Sequence, residues 1–280
     1  MTCIVRDIPI YYEVHGQGKP LLCIHGWPVD HRMMKSMVEP IFCETQYRRI
    51  YFDLPGMGKT PAAGWMKNAD DMLDIVAEFI HAVIGGENFL LLGSSYGGDF
   101  FLGVGCKMSP KKDGVALLCP MVDPREDEAQ NLPARQIVWQ PASLDFIEES
   151  AARVQYMDMA VVATPAGYAQ WKNAIEPAME AADMAFLSSC DMWYSPGLHH
   201  EISKVVFDKS SCIVTGRQDN STGYKIAYEL VERFPRATFA VMDAAGHLLE
   251  RDALYRQLMV DWLERVEMGT IETAKSRCPS

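Results

Sequence analysis

The sequence predicts a doubly wound α/β fold with a helical insertion late in the chain. Short apolar runs recur along it, and they are continuous rather than alternating, which suits strands buried on both faces of a parallel sheet. Amphipathic helical patterns lie between several of these runs, as strand–helix alternation requires. One interval of roughly ninety residues has no strand pattern and is far longer than a single crossover needs.

The strands are predicted from the apolar runs and their flanking turns. Residues 3–6 and 10–14, followed by Gly16 and Gly18, form a predicted antiparallel hairpin. The predicted strands of the parallel sheet are 21–24, 50–52, 89–92, 115–118, 213–214 and 239–242.

The clearest predicted helix covers 71–84, where apolar residues recur at helical spacing along one face. Acidic residues lie at its N-terminal end and two glycines follow its C-terminal end, as helix signals require. Further helices are predicted over 224–234, ended by Pro235, and over 252–266. The residues from Gly269 onward are predicted to be a loosely held tail.

The long interval is predicted to be a helical cap that lies over the sheet. It is rich in tryptophan, methionine and proline, and its helix-like stretches are 144–156 and 167–184. We therefore predict an α/β core formed by residues 1–122 and 206–280, and a helical cap insertion formed by residues 123–205.

The amino-acid composition argues against some classes of binding partner. The formal net charge of −11 argues against nucleic acid, whose binding needs a basic surface. No apolar stretch approaches the length of a membrane span, and no secretory signal pattern is visible at the N-terminus. The eight cysteines are scattered, with several in apolar runs, so we expect reduced thiols and a cytoplasmic location. A small-molecule substrate and possible homo-oligomerisation are the remaining expectations.

Ser95 is the predicted nucleophile. Residues 93–97 read Gly-Ser-Ser-Tyr-Gly, between a predicted strand and a helix. A nucleophilic serine on such a tight turn needs small residues two positions before and two after it, so that the backbones can approach. Ser95 has glycine at both offsets, whereas Ser94 would need glycine at positions occupied by Leu92 and Tyr96.

A serine hydroxyl needs a base, and the base needs an orienting acid. His247 follows a late strand within Asp-Ala-Ala-Gly-His, at the sheet edge where α/β proteins place their ligands. Asp219 follows the penultimate strand and is the predicted acid. Asp123, just past the strand at 115–118, is the alternative acid, because a neighbouring strand end is also within reach of the histidine.

The oxyanion hole is predicted to consist of the backbone N–H groups of Trp27 and Tyr96. Residues 25–28 read His-Gly-Trp-Pro directly after a strand, and Tyr96 follows the nucleophile. His25 is expected to be structural because it precedes the turn.

Two other patterns carry no predicted chemistry. Residues 53–60 end in Gly-Lys-Thr but lack the first glycine of a phosphate-binding loop. His199 and His200 are adjacent and would point apart. No metal ion and no cofactor is therefore expected.

Five motifs carry a family resemblance: His-Gly-Trp-Pro at 25–28, Asp-Leu-Pro-Gly-Met-Gly at 53–58, Gly-Ser-Ser-Tyr-Gly-Gly at 93–98, Gly-x-x-Asp at 216–219 and Gly-His at 246–247. Together they resemble the α/β-hydrolase superfamily with a helical cap, over essentially the whole chain. The resemblance implies an α/β-hydrolase fold with a mostly parallel eight-stranded sheet flanked by helices, a cap inserted after the sixth strand, the triad Ser95–Asp219–His247 and no cofactor.

The expected function is that of a serine hydrolase acting on a small or medium, mainly apolar carboxylic ester through an acyl enzyme. A carbon–carbon bond hydrolase and a proline iminopeptidase-like peptidase are alternatives, since the sequence falls among these subfamilies. A non-catalytic small-molecule receptor on the same fold is the alternative from another class. Cofactor-free oxygenation is a further one, and it would not need Ser95.

Overall fold

The computed structural model describes residues 1–108, 112–122, 132–147, 150–189, 192, 206–249 and 253–276. Over these ranges the strands are β1 (Thr2–Val5), β2 (Ile8–His15), β3 (Lys19–Ile24), β4 (Tyr47–Phe52), β5 (Phe89–Ser94), β6 (Lys112–Leu118), β7 (Ser210–Gly216) and β8 (Ala237–Met242).

The strands form one eight-stranded sheet in the order β1-β2-β4-β3-β5-β6-β7-β8. The pairs β1–β2 and β2–β4 are antiparallel, and every neighbouring pair from β4 to β8 is parallel. The predicted fold class, including the N-terminal hairpin, is confirmed. The parallel strands place their C-terminal ends at one edge of the sheet, where the candidate site lies.

The sheet is covered on both faces, which explains why its strands are apolar without alternation. In β3, Leu22 and Ile24 pack into one layer of core, whereas Leu21 and Cys23 pack into the other. Burying each leucine-sized side chain is worth roughly 1.5–3 kcal/mol, so both faces favour apolar residues.

The helices of the core are α1 (His31–Phe42), α2 (Ala69–Val83), α3 (Tyr96–Met108), α8 (Lys225–Tyr228) and α9 (Ala253–Ser276). One core layer lies between the sheet and α2 with α3, and the other lies between the sheet and α1 with α9. The side chain of Asn68 caps α2 by accepting from the N–H groups of Asp70 and Asp71.

Two predictions at the C-terminal side need correction. The helix predicted over 224–234 is α8 followed by a 3-10 helix, Glu229–Arg233. The tail predicted from Gly269 is wrong as far as Ser276, because α9 continues through that glycine. A single glycine costs only about 1 kcal/mol relative to alanine inside a helix, and the next proline is Pro279.

The described part of the segment between β6 and β7 contains several short helices. It contains α4 (Ser150–Met159), α5 (Pro165–Gln170), a π-helix (Trp171–Ile175), α6 (Glu176–Glu180) and α7 (Met184–Ser189). Trp171 and Ile175 pack with the layer that contains α1 and α9, whereas Phe186 and Leu187 pack with the opposite layer. The cap boundaries at 123 and 205 fall outside the described residues and stay a prediction.

No helix in the described part of the chain is long and apolar enough to cross a membrane.

Candidate active site

Ser95 occupies a strained turn between β5 and α3. Its φ of +51° lies in the left-handed region, which residues other than glycine seldom adopt and which costs roughly 1–3 kcal/mol. Three backbone hydrogen bonds hold it there. Its N–H donates to Leu118 at 2.9 Å, and its carbonyl accepts from Gly98 at 2.8 Å and Met121 at 3.0 Å. The turn is thus fixed from both sides.

The glycines around Ser95 are required by close backbone approach. A Cβ added at Gly93 would lie 2.5 Å from the carbonyl oxygen of Gly97, and one at Gly97 would lie 2.3 Å from that of Ile24. A Cβ added at Gly26 would lie 3.1 Å from the Cβ of Ser95. The end of β3 is therefore packed directly against the serine.

The structure brings Asp219 and His247 together at the ends of β7 and β8. The Nδ1 atom of His247 lies 3.1 Å from each carboxylate oxygen of Asp219. Asp219 is fully buried, whereas the His247 side chain is 22% exposed. This arrangement puts the imidazole proton on Nδ1 and directs the basic lone pair to Nε2.

Asp219 is held by its own loop as well as by the histidine. Its Oδ1 accepts from the N–H of Ser221 at 2.9 Å and from that of Thr222 at 3.2 Å. The Thr222 hydroxyl lies 2.9 Å from Oδ2 of Asp219 and 3.1 Å from the carbonyl oxygen of Cys119. The carboxylate is thus fixed in one orientation.

Asp219 stays ionised despite its burial. Burial alone would raise its pKa, but the charge of His247 and the hydrogen bonds from His247, Ser221 and Thr222 outweigh that effect. The net result holds the pKa of Asp219 well below its ordinary value. A permanent negative charge therefore faces the imidazole and would stabilise its protonated form.

The two residues predicted to supply the oxyanion donors, Trp27 and Tyr96, contact each other through their side chains. Tyr96 is the first residue of α3, and its ring meets that of Trp27 edge to face with centroids 5.5 Å apart. The peptide bond between Trp27 and Pro28 is cis. The Tyr96 hydroxyl donates to the carbonyl of Met192, which ties the start of α3 to the segment between β6 and β7.

His25 and Asp53 make contacts that suit structural roles. The Nδ1 atom of His25 lies 2.7 Å from the carbonyl oxygen of Gly26, and its Nε2 accepts from the N–H of Leu54 at 3.0 Å. Burial lowers the pKa of His25, which keeps it neutral. The Asp53 carboxylate accepts from the N–H groups of His31 and Lys59. Within the segment 53–60, the N–H group of Lys59 therefore donates to a carboxylate of the same segment.

Cys119 is a neighbour of the aspartate–histidine pair that sequence reasoning treated only as core. It is fully buried at the end of β6 with φ of +44°, and its thiol lies 3.7 Å from the carbonyl oxygen of Gly246. Burial, and then the negative charge of Asp219, raises the pKa of this thiol. The position of Cys119 directly after β6, the strand beside β7, is the sequence feature that could have identified this contact. The Thr222 contact could have been inferred from its place three residues after Asp219.

The remaining candidates lie outside the described residues. These are the alternative acid Asp123 and the two adjacent histidines, His199 and His200.

A mostly parallel sheet whose fifth strand turns into a helix at a strained serine, with an aspartate–histidine pair after its last two strands, is an α/β-hydrolase fold. Residues 21–257 match the Alpha/beta hydrolase family. The chain belongs to that family.

Similar proteins include esterases. A pimeloyl-[acyl-carrier protein] methyl ester esterase of Legionella pneumophila (strain Paris) is 33% identical over 89 residues, which are 32% of this chain and 33% of that protein. The matched segment thus spans only about a third of this curated relative.

Solved structures agree on the fold over nearly the whole chain. An alpha/beta superfamily hydrolase from Oenococcus oeni PSU-1 has a TM-score of 0.84 at 24% identity, covering 95% of this chain and 99% of that one. A thermophilic esterase from Thermogutta terrifontis has a TM-score of 0.66 at 20% identity, covering 95% and 97%.

Proposed function

We propose that the protein is a serine hydrolase that cleaves a small or medium, mainly apolar carboxylic ester through an acyl-enzyme intermediate. The observation that carries this proposal is the ionised, fully buried Asp219 facing Nδ1 of His247, at the same sheet edge as the strained Ser95 turn. The methyl ester substrate in the name of the Legionella relative supports an ester rather than another acyl compound.

The proposed reaction uses His247 twice. Nε2 of His247 takes the proton of the Ser95 hydroxyl as the serine oxygen attacks the ester carbonyl carbon. The carbonyl oxygen gains the negative charge, which the N–H groups of Trp27 and Tyr96 would stabilise. Protonated His247 then donates to the leaving alcohol as the carbon–oxygen bond breaks, and water releases the acid by the same steps.

A cavity beside the histidine loop supports the proposed substrate class. The cavity holds about 40 Å³, room for about three or four water molecules, and is bounded by 244–246 and by Leu248 and Leu249. Its other walls are mainly apolar and include Met33, Met37, Tyr156 and Trp171. Such walls favour a short alkyl or single-ring group.

Burst kinetics with p-nitrophenyl acetate and butyrate test the proposal. The wild type should release one equivalent of nitrophenol rapidly and then turn over steadily. Ser95→Ala should lower kcat by on the order of 10⁶-fold. Ser94→Ala is the matched control, because Ser94 is also buried but ends β5, and it should keep most of the activity.

Each other outcome contradicts a stated part of the proposal. Ester turnover that survives in Ser95→Ala would exclude Ser95 as the nucleophile. A wild type that cleaves a diketone or a peptide with N-terminal proline, but neither ester, would reassign the substrate. Tight binding of an ester without any turnover would indicate a receptor.

A further inference from the structure

The groups around His247 form a cluster of metal ligands. Three chemically different metal ligands meet there: the Cys119 thiol, the Asp219 carboxylate and a ring nitrogen of His247. Their ligand atoms all lie within 4.8 Å of one another. Cys119 and Asp219 are fully buried, and His247 is the partly exposed member of the set.

We propose that Cys119, Asp219 and His247 form an inhibitory site for a thiophilic divalent cation of the Zn²⁺ and Cd²⁺ type. Thiolate, imidazole and carboxylate are the ligands that Zn²⁺ takes in proteins, and three protein ligands with a water in the fourth position is a common arrangement. The sulfur selects soft cations over Mg²⁺ or Ca²⁺, which prefer oxygen ligands alone.

The geometry allows the site to close around an ion. Zinc–sulfur and zinc–nitrogen bonds of about 2.3 and 2.0 Å place the two ligand atoms about 3.5 Å apart in a tetrahedral site. The sulfur and the nitrogen therefore need to approach by about 1.3 Å at most. The side chain of His247 can supply that movement, because it is partly exposed.

Binding would switch the reaction off by a defined exchange of partners. The cation replaces the thiol proton of Cys119, which is released to solvent as the metal–sulfur bond forms. It also displaces the proton of Nδ1 of His247, which is released to solvent while Nε2 takes up a proton from solvent, so that bonds to the metal replace the contact between Asp219 and Nδ1. The histidine then loses the orientation that the base needs. This consequence for turnover rests on the proposed function, whereas binding itself does not.

Cadmium titration tests the site with two independent readouts. The sulfur-to-cadmium charge-transfer absorbance reports binding at a cysteine, and ester hydrolysis reports inhibition. Every protein carries Cys43→Ser, which removes an exposed thiol. Cys119→Ser is the test variant. Cys212→Ser is the matched control, because Cys212 is also buried and its sulfur contacts only the Leu258 carbonyl at 3.9 Å among the described hydrogen-bond partners.

We expect Cys119→Ser to lose one equivalent of the charge-transfer band and to weaken inhibition by roughly tenfold or more, while Cys212→Ser matches the parent. His247→Gln should weaken cadmium binding seen by absorbance by a similar factor, without any need for activity. Equal inhibition and equal absorbance in the parent and Cys119→Ser would overturn the site. If the parent cleaves no ester but the band still depends on Cys119 and His247, the site stands and the proposed function fails.

Discussion

Two aspartate–histidine pairs among the described residues have similar contacts and different surroundings. In the first, Nδ1 of His247 lies 3.1 Å from Asp219, and the histidine side chain is 22% exposed. In the second, Nδ1 of His31 lies 2.7 Å from Asp53, and the histidine side chain is only 5% exposed. Both aspartates are fully buried.

The difference lies at the second ring nitrogen. Nε2 of His31 lies 3.3 Å from a carboxylate oxygen of Glu13, so carboxylates face both of its nitrogens. Asp53 also accepts from the N–H groups of His31 and Lys59, which joins the start of α1 to the loop after β4. A short aspartate–histidine contact therefore does not by itself make a base. The pair must also lie where the histidine can exchange a proton with a substrate.

Exchanging the two histidines for glutamine gives the largest expected contrast. His247→Gln should lower kcat by on the order of 10⁵- to 10⁶-fold with little change in the free energy of unfolding. His31→Gln should keep activity within a few-fold and lower the free energy of unfolding by roughly 1–3 kcal/mol, because it removes the buried side-chain partner of Asp53 and the ring contact with Tyr11. Steady-state ester hydrolysis and urea unfolding measure both. A large loss of kcat in folded His31→Gln would contradict the conclusion that only the His247–Asp219 pair serves the reaction.

Exchanging the aspartates sharpens the same contrast. Asp219→Asn should lower kcat by about 10⁴-fold, because an amide allows the wrong imidazole tautomer. Asp53→Asn should instead lower the unfolding midpoint in urea, because the amide cannot replace the carboxylate facing His31. If Asp219→Asn kept full activity, Asp123 would become the acid to test next.

The pH dependence of the free energy of unfolding should report on Glu13, whose carboxylate faces His31 of the second pair. Burial alone would raise the pKa of Glu13, but hydrogen bonds from Lys35, His15 and Tyr11 lower it to about 2. Because the folded pKa lies below the ordinary value of about 4.5, this stabilisation is present above pH 4.5 and is lost as the pH falls toward 2.

Glu13→Gln should therefore be less stable than the wild type by about 2 kcal/mol at pH 7, and the gap should close progressively as the pH falls from about 4.5 to about 2. Urea unfolding at several pH values measures the gap, and kcat at pH 7 should stay unchanged. A gap that is constant with pH would mean that the charge of Glu13 contributes nothing.

The smallest predicted effect concerns the hydroxyl that supports Asp219. Thr222→Val keeps the shape of the side chain and removes the hydrogen bond to Oδ2, so kcat should fall by about five- to tenfold. Thr222→Ser restores the hydroxyl and should recover most of the loss. If both variants behaved alike in ester hydrolysis, the methyl group rather than the hydrogen bond would matter.

Local patterns made much of this architecture predictable. The apolar runs located the strands, and the spacing of glycines around Ser95 identified the turn that the structure shows. The chain order of serine, aspartate and histidine after β5, β7 and β8 predicted that Asp219 and His247 lie at the same edge of the sheet.

The remaining features depend on contacts that no short window contains. α1 includes Pro40 and is capped locally by Asp30. Its long-range stabilisation comes from the contact between His31 and Asp53, which lie 22 residues apart in the sequence. Cys119 meets Gly246 across 127 positions of the chain. These contacts follow from the strand order, which has to be known before they can be inferred.

Labelling with a fluorophosphonate ester, followed by peptide mass spectrometry, tests whether His247 activates Ser95. We expect one label per chain on Ser95, at similar rates in the wild type and His31→Gln and far more slowly in His247→Gln. A label on Ser94 or another residue, or equal rates in the wild type and His247→Gln, would contradict the claim that His247 activates Ser95.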